Sequence, residues 1–268
     1  MNTFFRTIFP MLTAGALAIT AESCGGGESD TIDFVTRADS TAVLLPDYLG
    51  DSAYVTSRYS VVWPEKIKSQ DFDAFKDSLV YITFGTTGSN TFDQAVAEFM
   101  KQPLLTAMDA DTMTTLPADY TTAMESLYIT VNDVESNVSL LSPDLLVIDV
   151  AHYSYMAHAA HGMSTLRFLN YSIKEHTLLT PDNFFTSDAA GALGPIIKEA
   201  AQKKYSENAL FADATYTIDN FRITEENVEF VYQPYDVGPY ASGIITVALS
   251  HYDVRPYLTP VALSTLGL

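Results

Sequence analysis

The segment AYVTSRYSVVWP (53–64) alternates β-branched or aromatic residues with polar ones and ends on Pro64, a pattern that predicts a strand. The period then lengthens. Across SQDFDAFKDSLVYITFG (69–85), Phe72, Phe75, Leu79 and Ile82 recur at helical spacing, with Ser69 placed to cap the helix and Gly85 to stop it. NTFDQAVAEFMKQP (90–103) repeats the pattern with Phe92, Val96, Phe99 and Met100, and Pro103 ends it. Residues 104–125, rich in Thr and Asp, are ambiguous and read as partly helical. From Ser126 the period returns to two. Residues 126–142, 144–156 and 164–173 read as strands, with NDVES (132–136) and AHAAHG (157–162) as connections. PDNFF (181–185) reads as one helical turn, and 189–205 as a helix that tolerates Pro195 in its early part. Residues 220–224, 227–233 and 243–250 are strand-like, and HYDVRPYL closes the series with a helical turn.

Strands dominate, and the helices are grouped instead of alternating with strands. That pattern predicts an α+β fold, an antiparallel sheet with helices packed on one face, divided into two small subdomains at 53–143 and 144–268. No internal repeat is visible.

The N-terminus has a different character. MNTFFR carries one positive charge, and TIFPMLTAGALAIT (7–20) is apolar but shorter than the roughly 20 residues a spanning helix needs. Ala21 and Ser23 are small enough for an export peptidase, and Cys24, the only cysteine, follows directly. The arrangement resembles a bacterial lipobox, although Ala21 and Glu22 depart from it, and plain secretion with a free Cys24 thiol is the other reading. Residues 1–23 are expected to be a lipoprotein signal peptide. Residues 24–52 are expected to be a flexible tether that turns into a strand or turn near TAVLL. Attachment to a membrane is expected through the Cys24 lipid alone, in the cell envelope on the periplasmic or surface face of an outer membrane. Without a disulfide, stability must come from a hydrophobic core, which a chain of 268 residues can build.

Net charge is −19, which repels nucleic acid and anionic headgroups, favours solubility and would draw cationic proteins or peptides.

Enzymatic signatures are sparse. FGTTGSN (84–90) lacks the Lys-Ser/Thr of a phosphate loop, and there is no G-x-S-x-G. His152, His158 and His161 cluster in AHYSYMAHAAHG, with Asp149 or Asp182 as imaginable further ligands. A strand followed by a small-residue loop does not align side chains three apart, so these histidines are read as satisfying loop backbone; no metal and no cofactor is expected. The other candidate is aromatic. The long connection QPYDVGPYASG (233–243) holds Tyr235 and Tyr240 and follows Tyr232, and tyrosine serves both recognition surfaces and the plugging of sheet ends. Pro234 and Pro239 stiffen this loop, while Gly238 and Gly243 permit turns closed to other residues; a positive φ is expected at Gly238.

AHGMSTLRFLNYSIKEHTLLTPDNFF resembles the stretch of RsiV- and PdaC-type extracellular domains that joins an Ala-His-Gly loop, a strand and a Leu-Thr-x-x-x-Phe-Phe segment. NFRITEENVEFVYQPYDVGPYASGIITVALSHYDVRPYL resembles the end of the same family, with its Pro-Tyr-(Glu/Asp)-(Ile/Val)-x-Pro-Tyr-x-x-Gly loop before the last strand and helix. Residues 53–103 fit, more loosely, the domain that precedes it. In that family the domain is the outer part of an anti-sigma factor that recognises lysozyme, or accompanies a separate deacetylase domain. No sigma-binding segment or deacetylase domain is recognised in these 268 residues, so neither activity is expected to carry over. The resemblance implies a stand-alone, lipid-anchored envelope module of a Gram-negative bacterium that binds and does not catalyse. Peptidoglycan or a cationic wall-active protein such as lysozyme is the expected partner. The expected binding residues are His161, Gly162, Tyr232, Tyr235 and Tyr240. The alternative is an envelope glycan hydrolase or deacetylase working through His158 and His161.

Overall fold

The computed structural model describes residues 32–44, 54–67, 73–85, 91–100, 129–155 and 159–268. Residues 1–31, and with them the expected signal peptide and Cys24, lie outside the described residues, as do Ser69, Phe72, all of 101–128 and His158.

A six-stranded sheet runs in the order β1 (Ile32–Leu44), β2 (Tyr54–Ile67), β3 (Ile129–Leu141), β4 (Leu145–Tyr155), β5 (Met163–Ser172) and β6 (Thr177–Leu178). Every neighbouring pair is antiparallel except β2 and β3, which run parallel. A parallel pair needs a crossover, and the chain between β2 and β3 carries α1 (Asp73–Phe84) and α2 (Phe92–Met100). Phe75 and Leu79 of the predicted helical stripe are buried against the sheet. Full burial of side chains of this size is worth roughly 1.5–3 kcal/mol each. Gly85 stops α1 as expected: its φ is +71°, and its N–H donates to the Tyr81 carbonyl at 2.8 Å.

The strand β4 is central, and Leu145–Val150 are all buried. Leu146, Ile148 and Val150 join Phe75, Leu79 and Phe84 in one core, while Leu145 and Val147 join Phe184, Leu193 and Phe230 in a second. That second core belongs to a three-stranded antiparallel sheet, β7 (Phe221–Ile223), β8 (Asn227–Tyr232) and β9 (Ile245–Ser250). With it pack α3 (Pro181–Phe184), α4 (Ala189–Lys204), α5 (His251–Val254) and α6 (Pro260–Leu266). The fold is α+β, a large mostly antiparallel sheet with helices on one face and a smaller sheet-and-helix layer on the other.

Three expectations change. The strand or turn expected near TAVLL begins earlier: residues 32–40, assigned to the tether, join it in the 13-residue edge strand β1, where Ile32 and Phe34 are buried and Arg37 lies over the Phe92 ring at 4.7 Å. NDVES is no connection but lies within β3. Its acidic side chains Asp133 and Glu135 reach Arg58 at 2.9 and 3.4 Å, so the strand continues through them. The division at 143/144 falls between β3 and β4, which pair along nearly their whole length, so the large sheet spans both expected subdomains. Among the described residues no helix is long and apolar enough to cross a membrane.

Candidate functional site

The connection between β8 and β9 is a packed corner. The Gln233 N–H donates to Asp236 Oδ2 at 2.7 Å, and the Asp236 N–H donates to the Gln233 carbonyl at 3.0 Å. The chain reverses through Tyr235, whose φ is +77° and whose N–H donates to the Gly238 carbonyl at 3.1 Å. Val237 is fully buried, and its carbonyl accepts from the Phe211 N–H at 2.8 Å. A 3-10 turn at Tyr240–Ser242 follows, then Gly243 with φ 66° and ψ −151°, a region essentially reserved for glycine.

The left-handed positions in this loop are therefore Tyr235 and Gly243, and Gly238 is not among them. Gly238 is required for another reason. It is buried, and a Cβ on it would collide with the Ala209 carbonyl oxygen.

On this corner sits the loop before β5. The His161 ring stacks on Tyr240, with centroids 3.6 Å apart and planes 17° from parallel. Its Nδ1 lies 3.0 Å from the Gly162 carbonyl, which can only accept, so Nδ1 carries a proton. Nε2 is then placed to accept from the Tyr235 hydroxyl, 3.1 Å away. The Tyr240 hydroxyl donates to the same Gly162 carbonyl at 2.7 Å. Gly162 has no room for a side chain, because a Cβ would run into the Tyr153 ring. Burial pushes the Tyr153 hydroxyl pKa up, with neighbouring Tyr240 adding to it.

Of the residues expected to form a binding site, His161, Gly162, Tyr235 and Tyr240 meet here. Tyr232 does not join them. It is 4% exposed, its hydroxyl donates to the Thr217 carbonyl at 2.8 Å, and burial raises its pKa. Tyr235 is the outward member, 51% exposed, so the corner presents one ring to solvent on a base of two others.

His152 and His161 do not converge. His152 faces α1 and its Nε2 donates to the Thr83 carbonyl at 2.7 Å. Asp149, an odd position on the same strand, points to the opposite face, where Oδ2 takes Arg222 Nη1 at 2.7 Å and Oδ1 takes the Ser139 hydroxyl at 2.6 Å. No group of three or more potential ligands is present among the described residues. Both nitrogens of His161 are engaged by a carbonyl and a phenol, an arrangement that orients a ring and does not by itself ready a base.

Two features were not anticipated. Arg222 also contacts Glu229 Oε2, making a Ser139–Asp149–Arg222–Glu229 chain between the sheets. At Leu166 the open edge of β5 is covered by side-chain amides: Gln233 accepts from the Leu166 N–H at 2.9 Å and donates to its carbonyl at 2.7 Å, and Asn220 donates to that carbonyl at 3.0 Å. Isolated polar residues beside apolar strand positions were the visible signal, but the contacts that join the two sheets and cover β5 link residues 54 to 73 apart in sequence.

Residues 178–252 match the family model described as "Protein of unknown function (DUF3298)". No curated protein gives a match. Among solved structures, the chain is similar to a DUF3298-family member from Bacteroides fragilis, with a TM-score of 0.69 and 20% identity over 90% of this chain and 99% of that one. It is also similar to a DUF3298-family protein from Pseudomonas aeruginosa, with a TM-score of 0.58 and 14% identity over 88% and 98% of the two chains. At these identities the likeness is one of fold, and the chain joins that fold to a DUF3298 match that contains Tyr235 and Tyr240 but ends short of His161 on its N-terminal side.

Proposed function

We propose that the protein is a non-catalytic binding module of the cell envelope, held by a lipid on Cys24, and that the His161–Tyr235–Tyr240 corner is its recognition surface. The observation behind this reading is Tyr235. An aromatic residue holds a left-handed backbone while half of its surface stays in water, and its hydroxyl is oriented by His161. Such strain is tolerated where function requires the side chain.

The formal charge of −19 favours a cationic wall-active protein as partner, and the resemblance to RsiV-type domains suggests lysozyme. The second reading is a cell-wall glycan, favoured by the exposed Tyr235 face on which a sugar ring would stack. Calorimetry with lysozyme and with muropeptide fragments, at low and physiological salt, tests both. Lysozyme binding that weakens with salt and with Tyr235→Ala supports the first reading, and glycan binding indifferent to salt supports the second. Binding of neither, or binding indifferent to Tyr235→Ala, removes the corner as the site. Labelled fatty acid that fails to enter the wild type, together with a Cys24→Ala protein that stays with membranes, removes the anchor.

A further inference from the structure

A cleft of about 430 Å³ lies along the open edge of β5, between α1 and the loops that flank the small sheet. Tyr81, Ile82, Phe168, Leu179 and Phe221 give it apolar walls. Its charges are few and of both signs: Arg167 on β5, and Asp219 and Asp236 on the opposite loops. The Arg167 side chain occupies the α1-facing stripe of β5 that also carries Leu169 and Tyr171. Arg37, Arg58 and Arg222 each have a carboxylate, whereas Arg167 has no ion-pair partner among the described residues. An exposed, unpaired arginine at the mouth of an apolar cleft stands out on a chain of charge −19.

The floor of the cleft has unused backbone. The N–H and carbonyl of Leu166 point away from β4 to the Gln233 amide, and the Asn170 carbonyl points away from β4 to the Leu179 N–H at 2.9 Å. Alternation along an antiparallel strand sends the N–H and carbonyl of Phe168 the same way. Among the described residues nothing bonds to them on that side. Arg167, Tyr81 and Ile82 also line a second cavity of about 350 Å³, together with Thr83, whose buried Oγ1 has no partner.

We propose that this cleft binds a short peptide with free termini: its carboxylate on Arg167, a backbone amide on the open edge at Phe168, its ammonium against Asp219 and Asp236, and its side chains on the apolar walls. Each feature takes one part of that ligand. A guanidinium fork suits a carboxylate, and an unpaired strand edge suits an extended amide. Two carboxylates lining the same cleft suit an ammonium. Tyr235 and Tyr240 line neither cavity, although Gln233 and Asp236 of the same loop line the cleft.

The probes are the tripeptide alanyl-leucyl-alanine, its C-terminal amide and its N-acetyl form, titrated into the isotopically labelled full chain. The free tripeptide is expected to shift the backbone amide signals of Arg167 and Phe168 saturably. Amidation, and separately Arg167→Met, should each weaken it about tenfold, the usual worth of a hydrogen-bonded charge. Arg167→Lys should recover part of that loss. N-acetylation, or Asp219→Asn with Asp236→Asn, should weaken it similarly, while Tyr252→Ala, whose exposed ring lines neither cavity, leaves it within about twofold. Arg167 is exposed, so its variants should melt with the wild type. No saturable shift up to about 10 mM, weaker than any useful site, overturns the proposal. So does binding that survives amidation, and so does N-acetyl peptide binding as well as the free form, which would leave only a carboxylate site.

Discussion

Arg222 reaches across from the small sheet to Asp149 at the centre of the large one, Nη1 to Oδ2 at 2.7 Å. Asp149 is buried among apolar neighbours, and Ser139 fills its other oxygen at 2.6 Å. Burial works against the Arg222 charge, but hydrogen bonds to Glu229 and the field of Asp149 hold its pKa above the ordinary value. A carboxylate in such a place is tolerable only with its partner.

Arg222→Met should therefore destabilise the fold by about 1–3 kcal/mol, less than for a fully buried pair because the arginine keeps some contact with water. Urea denaturation would measure it. Adding Asp149→Leu should recover part of the loss, because the stranded carboxylate is then gone. A double variant as unstable as the sum of the two singles would show that the residues act separately.

Gly238→Val should destabilise by about 1–3 kcal/mol through overpacking against the Ala209 carbonyl and the Ile245 side chain. Gly243→Ala should cost about 1 kcal/mol for a different reason, its positive φ with open space around it. Comparing the two variants by thermal melting separates crowding from backbone strain. D-alanine at Gly243, introduced by semisynthesis, should rescue stability, because a positive φ suits a D-residue and the space there is open.

Much of this was legible in the sequence, and the limits are physical. The helical stripe of Phe75 and Leu79, the stop at Gly85 and the strand pattern of 145–150 announce themselves locally, because each buries one face or both against a neighbour. That His161, Tyr235 and Tyr240 lie together was expected from the family resemblance, since the loop itself does not say which element it packs against. The removal of Tyr232 from that group was not, since strand parity turns its ring toward Tyr216 and the second core. The strand β1 was hidden by its polar composition: as an edge strand it has only β2 to pair with, and polar side chains on its open side suit solvent. Asp149, Arg167 and Arg222 carry no local signal, because their meaning depends on which element lies opposite.

His152 should make stability fall in mild acid. Burial lowers its pKa from 6.5, the nearby Arg167 charge adds to that, and the Thr83 carbonyl opposes it. Asp133, the other charged group lining that cavity, is paired with Arg58. A folded pKa below the unfolded one means that the unfolded chain takes up the proton first. Stability is then full above pH 6.5 and is lost as pH falls from there toward the depressed folded value. His251, also lowered by burial, contributes in the same direction. Urea midpoints at pH 7.5 and below should fall with acid, and His152→Gln, which keeps an N–H for Thr83, should flatten part of the slope. An unchanged slope in the variant would mean that His152 titrates alike in both states.

The last prediction opposes stability to recognition at one residue. Tyr235 holds a φ of +77° with half its surface in water, so its ring adds little core burial while its backbone bears strain. Tyr235→Gly removes that strain along with the hydrogen bond to His161, and these terms should nearly cancel. The melting temperature should therefore hold or rise slightly, while binding of the envelope partner is lost. Tyr240→Ala should behave in the opposite way for stability, because it removes the stack under His161 and the hydrogen bond to Gly162, at a cost of about 1–3 kcal/mol. If Tyr235→Gly is as destabilising as Tyr240→Ala, Tyr235 is holding the corner together. Its exposed ring would then be explained by structure, with no need of a partner.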